Sequence, residues 1–217
     1  MKRQHGKKFV KKRRKMETRN YSIILVITAL PNLILAGLNN SPVYGFGIEV
    51  GVGHNHFLRS TPCGIKTPGD FVADRKETYF TPTIRVTCLF NLSNKFDMQP
   101  FMGYNRFGGK GSRDIYSFDA LEPGIFTHYR YANLSFGIGA KIHRILRVRY
   151  QRSSYHADRT DWFVEYSKNV GARVSYSFKH ISLSLESWFG INDLTDGLVD
   201  SATVYENHYR IIVGCYF

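Results

Sequence analysis

Residues 44–54 read YGFGIEVGVGH and alternate between large apolar residues and small or polar ones. The apolar side holds Phe46, Ile48, Val50 and Val52. A dinucleotide-binding loop requires G-x-G-x-x-G ahead of a helix, and the third glycine is missing here because Val50 and His56 occupy its two possible places. A period of two is the pattern of a β-strand. We therefore predict a strand whose second face carries glycines and one acid, Glu49.

The same alternation recurs along the chain, and no segment has a useful helical period. The predicted strands are 44–54, 78–90, 96–107, 131–142, 145–153, 167–178, 181–191 and 204–217. At about ten residues they exceed the usual strand length in soluble sheets and are close to the length of a tilted membrane strand. A soluble sandwich also alternates. Charges and glycines in mid-segment favour the inverted arrangement, with the polar face inside and the apolar face outside.

The predicted connections alternate in length. Short connections occur at 91–95, 143–144 and 179–180, and long ones at 55–77, 108–130, 153–165 and 192–203. Short turns at one end and long loops at the other are typical of an outer-membrane barrel. The pattern predicts an all-β protein, a closed antiparallel up-and-down transmembrane barrel of eight strands. Residues 118–131 are open to three interpretations: a protruding hairpin arm, an extension of the fourth strand, or an added strand. An added strand there, with another near 162–166, would give ten.

The N-terminal region predicts export. Residues 1–22 contain ten Lys or Arg and one acid, and the apolar run IILVITALPNLILAGL follows at Ile23 to Leu38. This order is typical of a secretory signal peptide; a nucleic-acid arm and an uncleaved membrane anchor are the alternatives. We expect a signal region at 1–45, with cleavage after Gly45 or Ser41, and a barrel at 46–217. Translation is hypothesised to start at Met16.

The last ten residues, HYRIIVGCYF, carry a resemblance to a family. A final strand with alternating apolar residues and a terminal Phe resembles the assembly signal of bacterial outer-membrane proteins, here Tyr209, Ile211, Val213, Cys215 and Phe217. Residues 44–217 thus resemble a small outer-membrane barrel of the OmpA/OmpX or PorT-like kind. The resemblance implies the outer membrane of a Gram-negative cell, insertion by the barrel assembly machinery, and contact with outer-membrane lipids and lipopolysaccharide.

The polar faces supply a predicted ion-pair network in the lumen. Its members are Glu49, Arg85, Lys141, Arg147, Arg149, Arg173, Glu186, Glu206 and Arg210, with Asp97 as a further acid. Side chains just fill the lumen of an eight-stranded barrel, so we expect a plugged interior without a diffusion pore. Glu49 is expected to pair with Arg210 on the adjoining last strand.

The sequence favours a structural or interaction role over catalysis. The expected role is envelope integrity, surface binding or a part in a secretion system. The alternative is an enzyme acting on lipid A or peptides at the outer rim, and its weak candidates are Ser153, His156 and Asp158 in RSSYHADRTD. That cluster does not match the His-x-Ser-Asn arrangement expected of a lipid A deacylase.

No cofactor, metal or nucleic-acid partner is expected. The three cysteines have no His or acid at metal-ligand spacing, and the basic excess lies mostly in the N-terminal region. The bases expected to contact lipopolysaccharide phosphates are Arg59, Lys66, Lys110, Arg113 and Arg159.

Overall fold

The computed structural model describes residues 43–60, 79–110, 114–152, 154–194 and 203–217. The strands are β1 Val43–Ser60, β2 Tyr79–Asn91, β3 Phe96–Lys110, β4 Asp114–Tyr131, β5 Leu134–Arg152, β6 Tyr155–Asp158, β7 Tyr166–Phe178, β8 Ile181–Gly190 and β9 Thr203–Tyr216. A single-turn 3₁₀ helix spans Thr160–Trp162. Across these ranges, no helix has the length and apolar character needed to cross a bilayer. The predicted signal segment lies outside the described residues, apart from Val43 to Gly45 at the start of β1.

Eight of the described strands close into a barrel. Their order is β4-β3-β2-β1-β9-β8-β7-β5, and β4 also pairs with β5. The first and last strands pair antiparallel, with Gly47 opposite Tyr216, and the Phe217 amide donates to the Phe46 carbonyl at 2.7 Å. The four-residue β6 pairs with the far end of β5, beyond its contact with β7. The predicted closed up-and-down barrel is confirmed.

Two strand predictions were wrong, but the number of barrel strands is still eight because one error divided a strand and the other omitted one. The predicted strands 131–142 and 145–153 are one strand, β5, so His143 and Arg144 form no turn. The predicted loop 108–130 mostly consists of β4, so the alternative of an added strand at 118–131 was right for this segment. Pro123 and Gly124 look like a turn in the sequence, yet both lie inside β4, paired with β3. Pro123 has no N–H to donate, and the pairing of β4 with β5 is interrupted between Leu121 and Gly124.

Tight turns mark one end of the barrel, which we call the lower end. Residues 92–95 and 179–180 form turns at the predicted places, while the third turn lies at 132–133 instead of 143–144. Ala132 and Lys179 have φ of 52°, the left-handed conformation that closes such short connections. The strands β1, β3, β4 and β5 are 15 to 19 residues long, and they extend beyond the others at the opposite, upper end.

The polarity of the wall inverts along the barrel axis. In the lower part the outward side chains are apolar, as at Val50, Ile138 and Leu185, which are 51%, 74% and 59% exposed. In the upper part the apolar side chains point inward and form a buried group that we call the apolar cap. Its core is Phe57, Phe107, Tyr116, Phe118, Ala120, Ile145, Val148, Phe163, Leu194 and Val204. The lower part is therefore built for apolar surroundings, and the upper part for water.

A β-bulge produces this inversion in β5. Asp119 pairs with Arg147, whereas its neighbour Ala120 pairs with Ile145, so Leu146 is the extra residue. One inserted residue moves every following side chain to the other face of the sheet. Beyond the bulge Val148 is fully buried, and the arginines on either side of it point outward.

Candidate functional site

The barrel interior holds most of the ionisable side chains that the structure buries. The buried charged residues and histidines are Glu49, Arg85, Asp97, Asp119, Glu122, His128, Lys141, His143, Arg173, Glu186, Glu206, His208 and Arg210. Strand alternation places all of them except Asp119 in the interior, since successive residues point to opposite faces; Asp119 lies between the inward Phe118 and Ala120 and is on the outer side. In β9, for example, Glu206, His208 and Arg210 are buried while Tyr209 and Ile211 are exposed.

Two acids and two arginines meet in the lower interior, and we call them the four-charge cluster: Glu49, Arg85, Arg173 and Glu186. Arg85 donates to both carboxylates, from Nε to Glu49 and from Nη2 to Glu186. Arg173 Nη2 lies 2.6 Å from Glu49 Oε1, and its Nη1 lies 3.3 Å from Glu186 Oε1. Each acid thus contacts both bases, which compensates the cost of burying four charges.

Neutral side chains complete the hydrogen bonding of this cluster. Glu49 Oε1 accepts from Tyr216 Oη at 2.6 Å and from Gln99 Nε2 at 3.1 Å. Trp188 Nε1 donates to Glu186 Oε2 at 2.9 Å, and Arg173 Nη2 donates to Ser184 Oγ at 2.7 Å. Buried carboxylates are stable only when their acceptor sites are used in this way.

An aromatic group lies next to the four-charge cluster. Phe101, Phe126 and Trp188 pack together in the interior. The Arg85 guanidinium lies over the Phe101 ring at 4.5 Å, and Lys141 Nζ lies over the Trp188 ring at 4.4 Å. These cation–π contacts add to the ion pairs of two cations whose side chains are fully buried.

A second buried group, which we call the histidine–carboxylate cluster, consists of Glu122, His143, Glu206 and His208. His143 lies between the two acids, with Nε2 2.6 Å from Glu122 Oε2 and Nδ1 2.6 Å from Glu206 Oε1. Glu122 also accepts from Arg210 Nη1 at 2.7 Å and Lys141 Nζ at 3.0 Å. His208 Nε2 lies 3.1 Å from Glu206 Oε1.

The predicted Glu49–Arg210 pair does not form. Glu49 is opposite Gly214 on β9, while Arg210 is opposite Gly53, four residues further along β1. Arg210 reaches Glu122 instead, and Glu49 is held by arginines from β2 and β7. A Cβ at Gly53 would lie 2.6 Å from Arg210 Cγ, so the small residue at this position makes room for the arginine stem.

Arg147 and Arg149, two predicted members of the lumen network, lie outside the barrel because they follow the bulge. Arg149 Nη2 lies 2.6 Å from Asp119 Oδ2, and Arg106 Nε lies 2.7 Å from Asp119 Oδ1. Burial raises the pKa of Asp119, but hydrogen bonds from Tyr104 and Arg106 and the nearby positive charges outweigh it, so the net shift is downward. The other seven predicted members lie inside.

The remaining predicted acid, Asp97, is buried at the lower end of β3. Its Oδ2 lies 2.8 Å from Arg130 Nε. It belongs to neither interior cluster.

The weak catalytic candidates do not form a relay where the structure describes them. Ser153 lies outside the described residues. His156 is exposed on β6. Asp158 accepts from the Thr160 hydroxyl and amide at 2.6 and 3.0 Å, and these two hydrogen bonds lower its pKa. The aspartate thus serves to hold the turn at Thr160.

One of the predicted lipopolysaccharide-binding bases has a described side chain. Arg159 packs on the Trp162 ring, with Cζ 4.1 Å from the ring centroid. The side chains of Arg59, Lys66, Lys110 and Arg113 lie outside the described residues.

The residues of the predicted assembly signal share the outer face of β9. Tyr209, Ile211, Val213, Cys215 and Phe217 are all exposed there. Their part in assembly stays a prediction.

Sequence reasoning missed several interior residues. Glu122 lies in the segment interpreted as a loop, and His143 in the segment interpreted as a turn. His208 carried a usable signal, because it stands between Glu206 and Arg210 at the spacing that puts all three on one face.

Comparison with known proteins finds similar solved barrels at low identity. Neisserial surface protein A is 12% identical with a TM-score of 0.48, over 79% of this chain and 97% of the other. Ail, the attachment invasion locus protein of Yersinia pestis, is 13% identical with a TM-score of 0.45, over 80% and 98%. The outer-membrane enzyme PagL is 8% identical with a TM-score of 0.45, over 79% and 99%. No protein-family model matches the sequence, and neither does any curated protein.

The described chain is a closed eight-stranded barrel. At these identities and TM-scores, the similar structures transfer no function to it.

Proposed function

We propose that this chain is an integral outer-membrane barrel whose interior is plugged and whose upper part is an interaction surface. The inversion of wall polarity carries this proposal. A barrel in water needs polar residues outside along its whole length, whereas a barrel in a bilayer needs an apolar outer band. The lower part has such a band, and the upper part has an apolar core and a charged exterior, as expected of a segment that stands in water.

The interior contacts support a plug. The four-charge cluster, the aromatic group and the histidine–carboxylate cluster occupy successive levels, and the apolar cap lies above them. Eight strands enclose only enough room for such side chains. The proposed barrel therefore conducts no ions, and its role is to hold the upper part at the membrane surface.

The upper surface supports binding to an anionic partner. Arg147, Arg149, Arg152 and Arg159 lie on the upper parts of β5 and β6 or just beyond them, and the first three are exposed. Guanidinium groups bind phosphate in a bidentate manner. Lipopolysaccharide, which presents phosphates at the outer surface, is the proposed ligand, and the outward face of β9 is the proposed contact for the barrel assembly machinery.

The test is cell fractionation combined with heat-modifiable gel mobility. The proposal expects the chain in the outer-membrane fraction, with a mobility that changes only on boiling. In planar bilayers the purified protein should give no stable conductance. Recovery in a soluble fraction would overturn the membrane assignment, and a stable conductance would overturn the plug.

A further inference from the structure

The histidine–carboxylate cluster contains three potential metal ligands in one place. His143 comes from β5, and Glu206 and His208 from β9. Their ligand atoms all lie within 4.8 Å of one another, and all three residues are buried. Phe107 of the apolar cap covers both imidazoles, at 5.0 Å from the His143 ring and 5.3 Å from the His208 ring. The three side chains thus converge on a point shielded from solvent.

Polar atoms at this point have unused bonding capacity. Within the described part of the chain, Glu206 Oε2 has no hydrogen-bond partner, and neither ring nitrogen of His208 makes a hydrogen bond of acceptable geometry. The side chains of Glu206 and His208 are 0% exposed, so bulk water does not satisfy them. A bound water or ion is one way in which such buried polar atoms are satisfied, and here three of them lie beside one another.

The charge balance points to a cation at Glu206. Glu49 and Glu186 each contact two arginines, and Glu122 contacts Arg210 and Lys141. Among the described residues, Glu206 has no Lys or Arg within ion-pair distance. Its contacts are His143, His208 and the amide of Asn169, whose Nδ2 lies 2.8 Å away. A buried carboxylate whose nearest bases are histidines is charge-compensated only when an imidazole is protonated or a cation is bound.

We propose that His143, Glu206 and His208 bind one divalent transition-metal ion of the zinc class. Two imidazoles and one carboxylate are a ligand set that Zn²⁺ takes. The ion occupies the place of the proton between His143 Nδ1 and Glu206. The second oxygen of Glu206 is free to serve as a further donor.

The distances fit with a small adjustment. Tetrahedral zinc bonds of 2.0–2.1 Å place neighbouring ligand atoms roughly 3.3 Å apart. The His143–Glu206 and His208–Glu206 atom pairs are now 2.6 and 3.1 Å apart. Each of these two pairs has to open by less than about 1 Å, and the two histidine ligand atoms, which lie within 4.8 Å of each other, have to reach the same separation.

Glu122 acts as a positioning residue for this site. It accepts from His143 Nε2, which fixes the ring so that Nδ1 faces Glu206. A carboxylate that orients a metal-binding histidine through its second nitrogen is a recurrent arrangement. Arg210 and Lys141 in turn hold Glu122, so its charge is already compensated and Glu206 remains the acid that faces the ion.

The experiment uses the untagged full chain, refolded into detergent micelles from metal-free denaturant with ZnCl₂ or CoCl₂ present, because the cap excludes solvent from the folded site. After desalting, elemental analysis should find about one zinc per folded barrel, and Co²⁺ should show the intense visible absorption of a tetrahedral site. His208→Gln and Glu206→Gln should each lower bound zinc at least tenfold. Heat-modifiable mobility selects the folded fraction of each variant.

The matched control is His128→Gln. His128 is equally buried, but it hydrogen-bonds Gln99 at 2.8 Å and takes no part in the cluster. This variant should keep full zinc occupancy. If the wild-type protein retains no zinc and shows no tetrahedral Co²⁺ spectrum, the proposal is overturned, whatever the results for the variants. Equal zinc loss in His128→Gln and His208→Gln would overturn it as well.

Discussion

Glu49 and Arg173 lie 124 residues apart in the chain and meet inside the barrel, with Oε1 and Nη2 2.6 Å apart. The contact joins β1 to β7, which are separated in the sheet by β9 and β8. Side chains that bridge non-adjacent strands fix the shape of the interior. The four-charge cluster therefore acts as an internal brace of the barrel.

Replacing Glu49 with Gln should destabilise the barrel strongly. The amide keeps the size of the side chain but leaves Arg85 and Arg173 sharing Glu186. Removing one partner from a buried ion pair typically costs about 3–5 kcal/mol. Urea unfolding of the refolded protein measures the loss. The control is Asp161→Asn, an exposed acid in the 3₁₀ turn, which should change the unfolding free energy by less than about 0.5 kcal/mol; equal effects of the two variants would refute the brace.

The bulge in β5 predicts unequal effects for two nearby apolar positions. Val148 is fully buried in the apolar cap, whereas Leu146 is 45% exposed. Val148→Asn should cost about 2–4 kcal/mol because it buries an amide among apolar side chains. Leu146→Asn should cost less than half as much. The same unfolding assay compares them, and a greater loss from Leu146→Asn would place the bulge elsewhere.

Asp119 makes stability depend on pH in the upper part of the barrel. Its folded-state pKa is lowered, on balance, by Tyr104, Arg106 and Arg149. A lowered pKa gives a stabilisation that is present above the unfolded value, about 3.9, and is lost as pH falls through the folded value. Asp119→Asn should remove about 1–2 kcal/mol at neutral pH and flatten the acid limb of the profile. An unchanged acid limb in the variant would show that Asp119 contributes nothing.

The outer-rim enzyme hypothesis makes a separate prediction. His156 is exposed on β6, and in the described structure no hydrogen bond joins it to Asp158. Expression of wild-type protein or His156→Ala in cells should therefore give the same lipid A mass spectrum. A modified lipid A that appears only with the wild-type protein would revive catalysis at this rim.

Sequence alternation was enough to predict the strands in which most apolar residues stay on one face. In β1, β7 and β8 the apolar residues keep to the outer face, except for Phe57 and Trp188, which are buried inside. These strands were placed within a few residues, apart from the upper extension of β1. In β4 the apolar residues change face, from Phe118 inside to Leu121 outside, and Pro123 breaks the pattern further. A prediction from alternation alone therefore assigns a loop to this segment.

The pairing of charged side chains inside the barrel could not be predicted from the alternation of the sequence. Around Arg147 the apolar residues stay at even-numbered positions, as in the preceding segment. The bulge turns these positions from the outer to the inner face, so the sequence pattern assigned the arginines to the wrong face. Contacts such as Arg210 with Glu122 are set by barrel stagger. Alternation shows which face a charge occupies, while its partner across the lumen follows only from the closed structure.

The inversion of wall polarity is tested most directly by spin labels at Ile138 and Arg149, placed on a cysteine-free background in lipid vesicles. Collision with oxygen reports lipid exposure, and collision with a water-soluble nickel complex reports water exposure. We predict that the label at 138 meets oxygen and is shielded from nickel, and that the label at 149 meets nickel readily. If nickel reaches both labels equally, the lower part does not lie in a bilayer and the account is wrong.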